Sequence, residues 1–335
     1  MRATKVMADP GTHAPFTLPL LLRHPALTWV PRVSLGTFPT PVERVATPAG
    51  ELWIKRDDLC GVSLGGNKVR ALEFLLAGVR RGDDVLTVGA RGSTHALATA
   101  VYGGGLGARV TVVRWRQEMN ADAHAVARRI ENTAAETIDA LTPVDAMLRT
   151  VLLRLRRRLR WVPAGGTSAL GVLGHVNAAL ELAEQVAAGR LLAPERIVVP
   201  LGSGGTAAGL ALGLAMAGLP ATLICVSVAP RIVANKARVL RVAHACARLI
   251  ERCTGVRIAR PDSARIVVER GEYGGAYGRE TERGREAVRW MRATHGVSLD
   301  ATYSAKALAA VLGTPTPGPT LFWLTYDARA ARGAG

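Results

Sequence analysis

The stretch Leu64-Gly65-Gly66-Asn67-Lys68-Val69-Arg70 decides how this chain is read. Two glycines relax the backbone just before a lysine. From Val69 to Gly78 the apolar residues Val69, Leu72, Leu75 and Leu76 recur at helical spacing, which puts Lys68 at a helix start. Far downstream, Gly202-Ser203-Gly204-Gly205-Thr206 follows an apolar strand-like run (Ile197 to Val199) and precedes a helical segment (Ala207 to Ala217). A glycine turn between strand and helix offers backbone N–H groups at a positive helix end, which suits a dianionic phosphate. Each motif alone has an ordinary alternative, a surface lysine or a tight turn. Together they supply an amine for an aldehyde and a cradle for a phosphate, the two things pyridoxal 5'-phosphate requires.

The surrounding pattern is strand-helix alternation. No charged residue occurs between Arg196 and Arg231, but Pro200, the glycines of 202–205, Gly209, Gly213, Gly218 and Pro220 divide that segment into pieces too short to span a membrane. With a strand at Thr222 to Val228 it reads as a buried β-loop-α-β unit. Upstream, strands at Leu52 to Lys55, Val85 to Val88 and Arg109 to Val113 alternate with helices at Ala96 to Tyr102, Ala121 to Asn132, Val144 to Arg160 and Leu170 to Ala188. A helix at Glu282 to Thr294 and a strand at Thr320 to Leu324 follow. Such alternation predicts an α/β fold of open, mostly parallel twisted sheets flanked by helices. Residues 1 to about 50, with Pro31, Pro39 and Pro41, read as irregular. Pro163 to Ser168 and Gly271 to Gly278 read as loops, and the order between Arg231 and Ala276 is not clear from the pattern.

Composition narrows the class. At 335 residues and 49% hydrophobic, the chain can bury a sizeable core, and with only 4% aromatic content that core must rest on Ala, Val and Leu. The formal charge of +17 raises nucleic acid as a partner. The densest run, Arg154-Leu155-Arg156-Arg157-Arg158-Leu159-Arg160, spreads its charges over several faces of an expected helix without an interleaved stacking platform. A solvated arginine-rich surface that attracts an anionic substrate is the favoured reading. Cys60, Cys225, Cys246 and Cys253 form no C-x-x-C pair, and His244 near Cys246 lacks companions, so buried thiols in a reducing cytoplasm are expected. The histidines form no H-E-x-x-H pattern, and no metal is expected. Arg2, Lys5 and the Pro19-broken run Phe16 to Leu22 make no convincing signal peptide.

Taken in order, Leu52-Trp53-Ile54-Lys55-Arg56-Asp57-Asp58-Leu59, Gly65-Gly66-Asn67-Lys68-Val69-Arg70, Leu72-Glu73-Phe74-Leu75-Leu76, Gly165-Gly166, Gly202 to Thr206, Tyr277-Gly278 and Asp300-Ala301-Thr302-Tyr303 resemble the D-cysteine desulfhydrase and 1-aminocyclopropane-1-carboxylate deaminase family. These are fold type II pyridoxal phosphate enzymes of the tryptophan synthase beta-like fold, and the resemblance spans nearly the whole chain. It implies two domains: a larger, phosphate-binding one from residues 1–64 and 166–335, and a smaller mobile one from residues 65–165. It also implies a homodimer that closes over a small amino-acid substrate.

The resemblance assigns roles residue by residue. Lys68 matches the cofactor lysine, and Asn67, Thr94, Gly202, Ser203, Gly204, Gly205, Thr206, Ser304 and Thr325 fall at cofactor-binding positions. Ser93-Thr94-His95 lies where the family carries Ser-Asn-His at a helix start, suited to a substrate carboxylate. Ser93 there is a candidate proton relay, with a plain N-cap as the alternative. Tyr277 and Tyr303 match two tyrosines flanking the active site. A phenol needs a nearby cation to act as a base, and core packing is the alternative. Ser304 stands where family deaminases carry a glutamate facing the pyridine nitrogen and desulfhydrase-like members carry a hydroxyl, which disfavours cyclopropane ring opening. Asp57 and Asp58 read as structural, since adjacent residues near a strand end point to opposite sides.

The departures from the family bear on substrate choice. Thr94 replaces an asparagine, Gly92 a glutamine and Leu97 an arginine. Tyr326-Asp327 replace two glycines, and the usual closing helix is expected to be missing. These changes are expected to add bulk and charge near the cofactor. The leading expectation is a lyase performing α,β-elimination on a β-substituted, D-cysteine-like amino acid to a 2-oxo acid, ammonia and a thiol or sulfide. The alternatives are β-replacement or other tailoring chemistry in a specialised pathway, and a pyridoxal phosphate-binding or nucleic-acid-binding protein without turnover.

Overall fold

Valine-rich runs such as Arg109–Trp115 are buried through most of their length, as strands covered on both faces must be. A computed structural model describes residues 18–47, 50–61, 63–313 and 318–328. Arg2, Lys5, Phe16 and the segment 329–335, where the closing helix was expected to be missing, lie outside the described residues. In chain order the elements are α1 (Pro19–Arg23), β1 (Val42–Thr47), β2 (Gly50–Arg56), α2 (Lys68–Leu75), β3 (Asp84–Ala90), α3 (Thr94–Gly105), β4 (Arg109–Trp115), α4 (Ala121–Thr133), β5 (Glu136–Ala140), α5 (Pro143–Arg156) and β6 (Arg160–Val162). There follow α6 (Ala169–Ala187), β7 (Arg196–Leu201), α7 (Gly205–Ala217), β8 (Thr222–Ser227), α8 (Lys236–Thr254), β9 (Ile266–Glu269), α9 (Glu282–His295), α10 (Ser304–Leu312) and β10 (Thr320–Leu324).

Two sheets result. One has the order β1-β2-β10-β7-β8-β9 and is parallel apart from the β1–β2 hairpin; the other, β5-β4-β3-β6, is wholly parallel. The first draws on both ends of the chain and the second only on residues 84–162. Helices flank both sheets. The aromatic-poor core depends on close helix contact: Gly209 and Gly213 of α7 press against His175 and Ala179 of α6, where a Cβ would collide.

Behind α2 lies a fully buried ionic network. Arg70 donates to Asp57 Oδ1 at 2.6 Å and to Glu181 Oε2 at 2.9 Å, Lys55 reaches Glu181 at 2.5 Å and Gln185 at 2.7 Å, and Trp323 Nε1 donates to Asp57 at 2.8 Å. Burial alone would raise the Asp57 and Glu181 carboxyls, but Arg70 overrides it and holds both below the usual range. The network ties β2, α2, α6 and β10 together, and so fixes the helix whose first residue is Lys68. Asp58 pairs with Arg56 at 2.8 Å instead.

Several expectations are corrected. The segment before residue 50 contains α1 and β1; β1 is an edge strand in which only Val45 is buried, so it carries almost no periodic signal. The helix expected to Arg160 ends at Arg156, and Arg160 already belongs to β6, because the arginine run provides neither glycine nor proline to mark the stop. The unclear region contains α8 and β9. Of the thiols, Cys60, Cys225 and Cys246 are buried but Cys253 is exposed.

Candidate active site

The C-terminal ends of β3, β4, β7 and β10 converge on one cavity of about 690 Å³. This is the crevice at carboxyl strand ends where open α/β sheets bind ligands.

Lys68 enters from the first position of α2. Gly66, at φ +113°, has no room for a side chain, since a Cβ would lie 2.8 Å from the Thr325 carbonyl oxygen. That carbonyl accepts from Asn67 N at 2.8 Å, pinning the turn against the end of β10. Asn67 Nδ2 donates to Thr206 Oγ1 at 2.7 Å, which joins the lysine turn to the glycine loop. The half-buried Lys68 amine has no hydrogen-bond partner among the described residues, and desolvation brings its pKa down to about 8.

Opposite lies the loop Gly202 to Thr206. Gly204 adopts φ +93° and α7 begins at Gly205, so the first-turn N–H groups of α7 have no intrahelical acceptors. Thr167 Oγ1 donates to Ser203 Oγ at 2.7 Å, and a Cβ on Gly165 would collide with that serine, so this loop and the 164–167 turn interlock.

On the third wall Ser93 is the N-cap of α3, its Oγ accepting from Ala96 N at 3.2 Å, and it also lines the cavity with Thr94 and His95. The cap and a place on the cavity wall are thus compatible. His95 places Nε2 3.2 Å from Thr87 Oγ1 and leaves Nδ1 without a partner; burial, reinforced by Lys68, pushes its pKa down to about 3. Tyr277 and Tyr303 meet hydroxyl to hydroxyl, rings edge-on at 72°. Burial pushes Tyr303 up to about 12 and Tyr277 well above its ordinary value, the latter reinforced by Tyr303. Ser304 is fully buried beside Tyr303, with its backbone N donating to Asp300 at 3.0 Å.

The structure thus gathers Asn67, Lys68, Ser93, Thr94, His95, Gly202 to Thr206, Tyr277, Tyr303 and Thr325 around one space, with Ser304 adjoining it. Of the departures, Thr94 and Tyr326 reach the cavity, and the buried Tyr326 hydroxyl has no partner. The expectation that the others add bulk or charge there is corrected. Gly92 packs on Ala123 of α4 with its N–H donating to Gln117, Leu97 is buried in the core, and Asp327 is not among the lining residues.

Residues not anticipated also line the space. Arg116, Gln117 and Glu118 extend from the end of β4, a position that parallel-strand geometry itself marks. Arg238, on the first turn of α8, donates Nε to the Ser203 carbonyl at 2.9 Å and makes no ion pair among the described residues. An unpartnered amine, a helix-end N–H cradle, a guanidinium without a counter-charge beside it and the unpartnered Tyr326 hydroxyl form a donor set that fits a phosphorylated aldehyde such as pyridoxal phosphate.

Comparison with known proteins agrees. The model of the pyridoxal-phosphate dependent enzyme family matches residues 33–325. D-cysteine desulfhydrase of Salmonella choleraesuis (strain SC-B67) is 35% identical over 325 residues, covering 91% of this chain and 96% of that protein. Its counterpart in Salmonella paratyphi C (strain RKS4594) is 34% identical over the same coverage. Among solved structures, an ACC deaminase homologue superposes with a TM-score of 0.76 at 27% identity, covering 94% of this chain and 95% of the other.

Proposed function

Because this chain belongs to the pyridoxal-phosphate dependent enzyme family, we propose that it is a carbon-sulfur lyase performing α,β-elimination on a β-substituted amino acid. D-cysteine is the reference substrate, and the products are a 2-oxo acid, ammonia and a thiol or sulfide. The observation that carries this reading is a desolvated, unpartnered Lys68 amine facing the N–H cradle of α7 across one cavity. The relatives that share most of its length bear the name D-cysteine desulfhydrase, which supports the substrate class.

Bound in the cavity, the cofactor supplies the electron sink that makes the substrate α-proton acidic. Lys68 holds it, and once released the amine, with a pKa of about 8, is a competent base for that proton near neutrality. Gly202 to Thr206 and Arg238 hold the phosphate, while Asn67 ties the phosphate loop to the lysine turn. Ser93, Thr94 and His95 at the N-terminus of α3 receive the substrate carboxylate. Their raised pKa values keep both phenols protonated, so Tyr277 and Tyr303 serve as proton donors toward the departing sulfur rather than as bases. Ser304, a neutral hydroxyl, suits elimination better than ring opening of a cyclopropane amino acid.

Residues 65–165 form the smaller domain against 1–64 and 166–335, and because the Arg70 network anchors α2 to the larger unit, the part that moves is the four-stranded sheet of residues 84–162 with its helices. Asn120 Nδ2 to the Gly278 carbonyl at 2.9 Å, Asp122 to Ala301 N at 2.9 Å and the Glu118–Arg279 ion pair bridge the two and latch the closed form. The enzyme works as a homodimer, and its free thiols support a reducing, cytoplasmic setting. No helix among the described residues is long and apolar enough to cross a membrane.

The test is to load the protein with pyridoxal phosphate and measure sulfide and 2-oxo acid from D-cysteine, L-cysteine and 1-aminocyclopropane-1-carboxylate. Matched sulfide and 2-oxo acid from a cysteine enantiomer, and none from the cyclopropane, is expected. A product that keeps its amino group and forms only with an added nucleophile would move the assignment to β-replacement, and no product from any β-substituted amino acid would overturn it.

A further inference from the structure

The cavity carries more positive charge than the reaction described above uses. Lys68, Arg116 and Arg238 line it, while Glu118 is the one carboxylate among its lining residues and is already paired with Arg279. The aldehyde engages Lys68, the phosphate engages Arg238 and the α7 cradle, and the α-carboxylate engages the N-terminus of α3. Arg116 is left over. It directly follows β4, is exposed on the cavity wall, and makes no hydrogen bond or ion pair among the described residues. Three apolar residues of the same wall are also unused: Trp115, Pro143 and Met147. Trp115 packs with Ala146 on the α5 side of the sheet, which seats it by the start of α5, where Pro143 and Met147 lie. In the order β5-β4-β3-β6, Ser93 to His95 follow β3, and this group lies at the ends of β4 and β5. A substituent on the β-carbon of a substrate held at the α3 N-terminus therefore meets it one to two strand spacings along the sheet edge, about 5–10 Å.

We propose that Trp115, Pro143, Met147 and Arg116 form a subsite for a sulfur substituent that is apolar next to the sulfur and ends in a carboxylate, so that the preferred substrate is an S-conjugate of cysteine rather than cysteine itself. The inference rests on the elimination reading above and narrows its substrate class. Trp115 and Met147 offer a ring face and a polarizable thioether to an aromatic substituent, and the planar Arg116 guanidinium accepts a carboxylate in bidentate fashion. Size agrees: the cavity measures about 690 Å³, whereas the cofactor with a bare cysteine needs only the lower part of the range of about 300–1,000 Å³ that ligand clefts span. The step balances as an elimination. The α-carbon gives its proton to the Lys68 amine, the Cβ–S bond breaks with its electron pair on sulfur, and the sulfur takes a proton and leaves as the conjugate's thiol. The aminoacrylate that remains takes up one water and yields the 2-oxo acid and ammonia.

The test gives the cofactor-loaded full chain both enantiomers of cysteine, S-benzylcysteine and S-(4-carboxybenzyl)cysteine, measures released thiol or sulfide and 2-oxo acid, and follows binding separately by titrating the cofactor absorbance. The carboxybenzyl conjugate is expected to have the highest kcat/KM, at least about tenfold above the benzyl conjugate. Arg116→Met should erase that preference, chiefly through KM, and Arg116→Lys should restore part of it. The control Arg158→Met, in the exposed arginine run outside the cavity, should keep it. Conjugates turned over no better than cysteine, equal kcat/KM for the two conjugates, or an equal loss on both in Arg116→Met overturns the subsite while leaving the elimination reading intact. If no β-substituted amino acid is turned over, the elimination reading fails, and the titration judges the subsite by itself: tighter, Arg116-dependent binding of the carboxybenzyl conjugate supports it, and equal binding of the two conjugates overturns it.

Discussion

Lys55 and Lys68 flank the same glycine turn, and their surroundings are opposites. Lys55 is met by Glu181, Gln185 and the Thr40 carbonyl, so every donor of its ammonium has an acceptor. Lys68 is met by none. A third interior lysine, Lys306, donates to the Tyr273 carbonyl at 2.7 Å. In a chain with only five lysines, most basic positions being arginine, an amine left without a partner is placed for chemistry. The contrast extends outward: the Asp57–Arg70–Glu181 network is saturated, while the cavity wall leaves His95 Nδ1 and the Tyr326 hydroxyl open. Saturation holds position; openness awaits a ligand.

The largest effects come from the two poles of this contrast. Lys68→Ala is expected to lower elimination by at least about 10³-fold and to leave the denaturation midpoint near that of wild type, since no hydrogen bond is lost. Glu181→Ala leaves Lys55 and Arg70 buried without their shared acceptor, and a stability loss of about 3–5 kcal/mol is expected by urea denaturation. Equal stability losses in the two variants would erase the distinction between the lysines.

Acidity sharpens it. Asp57 and Glu181 have folded pKa values below their unfolded ones, so the folded state binds fewer protons. Their contribution is fully present above the unfolded values near pH 4 and is lost as pH falls through the depressed folded values. In the wild type, stability should decline on acidification below about pH 4, and Asp57→Asn should flatten that decline. At Lys68 the reactive form is the neutral amine. The initial rate at which cofactor-free protein acquires visible absorbance on adding pyridoxal phosphate should rise about tenfold per pH unit and level off above about 8. A rate still climbing toward pH 10 would mean an ordinary solvated lysine.

The smallest expected effect concerns Arg238. Removing a charge-assisted contact to phosphate costs about 1.5–3 kcal/mol, so Arg238→Met should weaken cofactor binding roughly tenfold or more in a fluorescence titration while Arg238→Lys recovers part of it. Unchanged affinity would confine Arg238 to bracing the Ser203 carbonyl.

How much of this was legible in the sequence follows from where each signal resides. Lys68 and the Gly202 to Thr206 loop were readable because their requirements are local, a positive φ before a helix and an open first turn after a strand. Ser304 was readable only through family resemblance; nothing local distinguishes a serine at the start of α10. Arg238 was invisible because nothing local sets it apart from the many solvated arginines; its place at the cavity comes from a contact with the Ser203 carbonyl, distant in the chain. Gly92 and Leu97 looked like changes in the active site but answer to packing on α4 and in the core, contacts distant in the chain. The arginine run hid the end of α5, because it contains neither the glycine nor the proline that marks a helix stop.

The most direct measurement is to load the protein with pyridoxal phosphate, reduce it with borohydride, digest it and locate the modified lysine by mass spectrometry. The pyridoxyl adduct is expected on the peptide containing Lys68 and absent from those containing Lys55 and Lys306. An adduct on either of the latter, or none on any lysine, would contradict the claim that Lys68, the one unpartnered interior amine among the described residues, carries the cofactor.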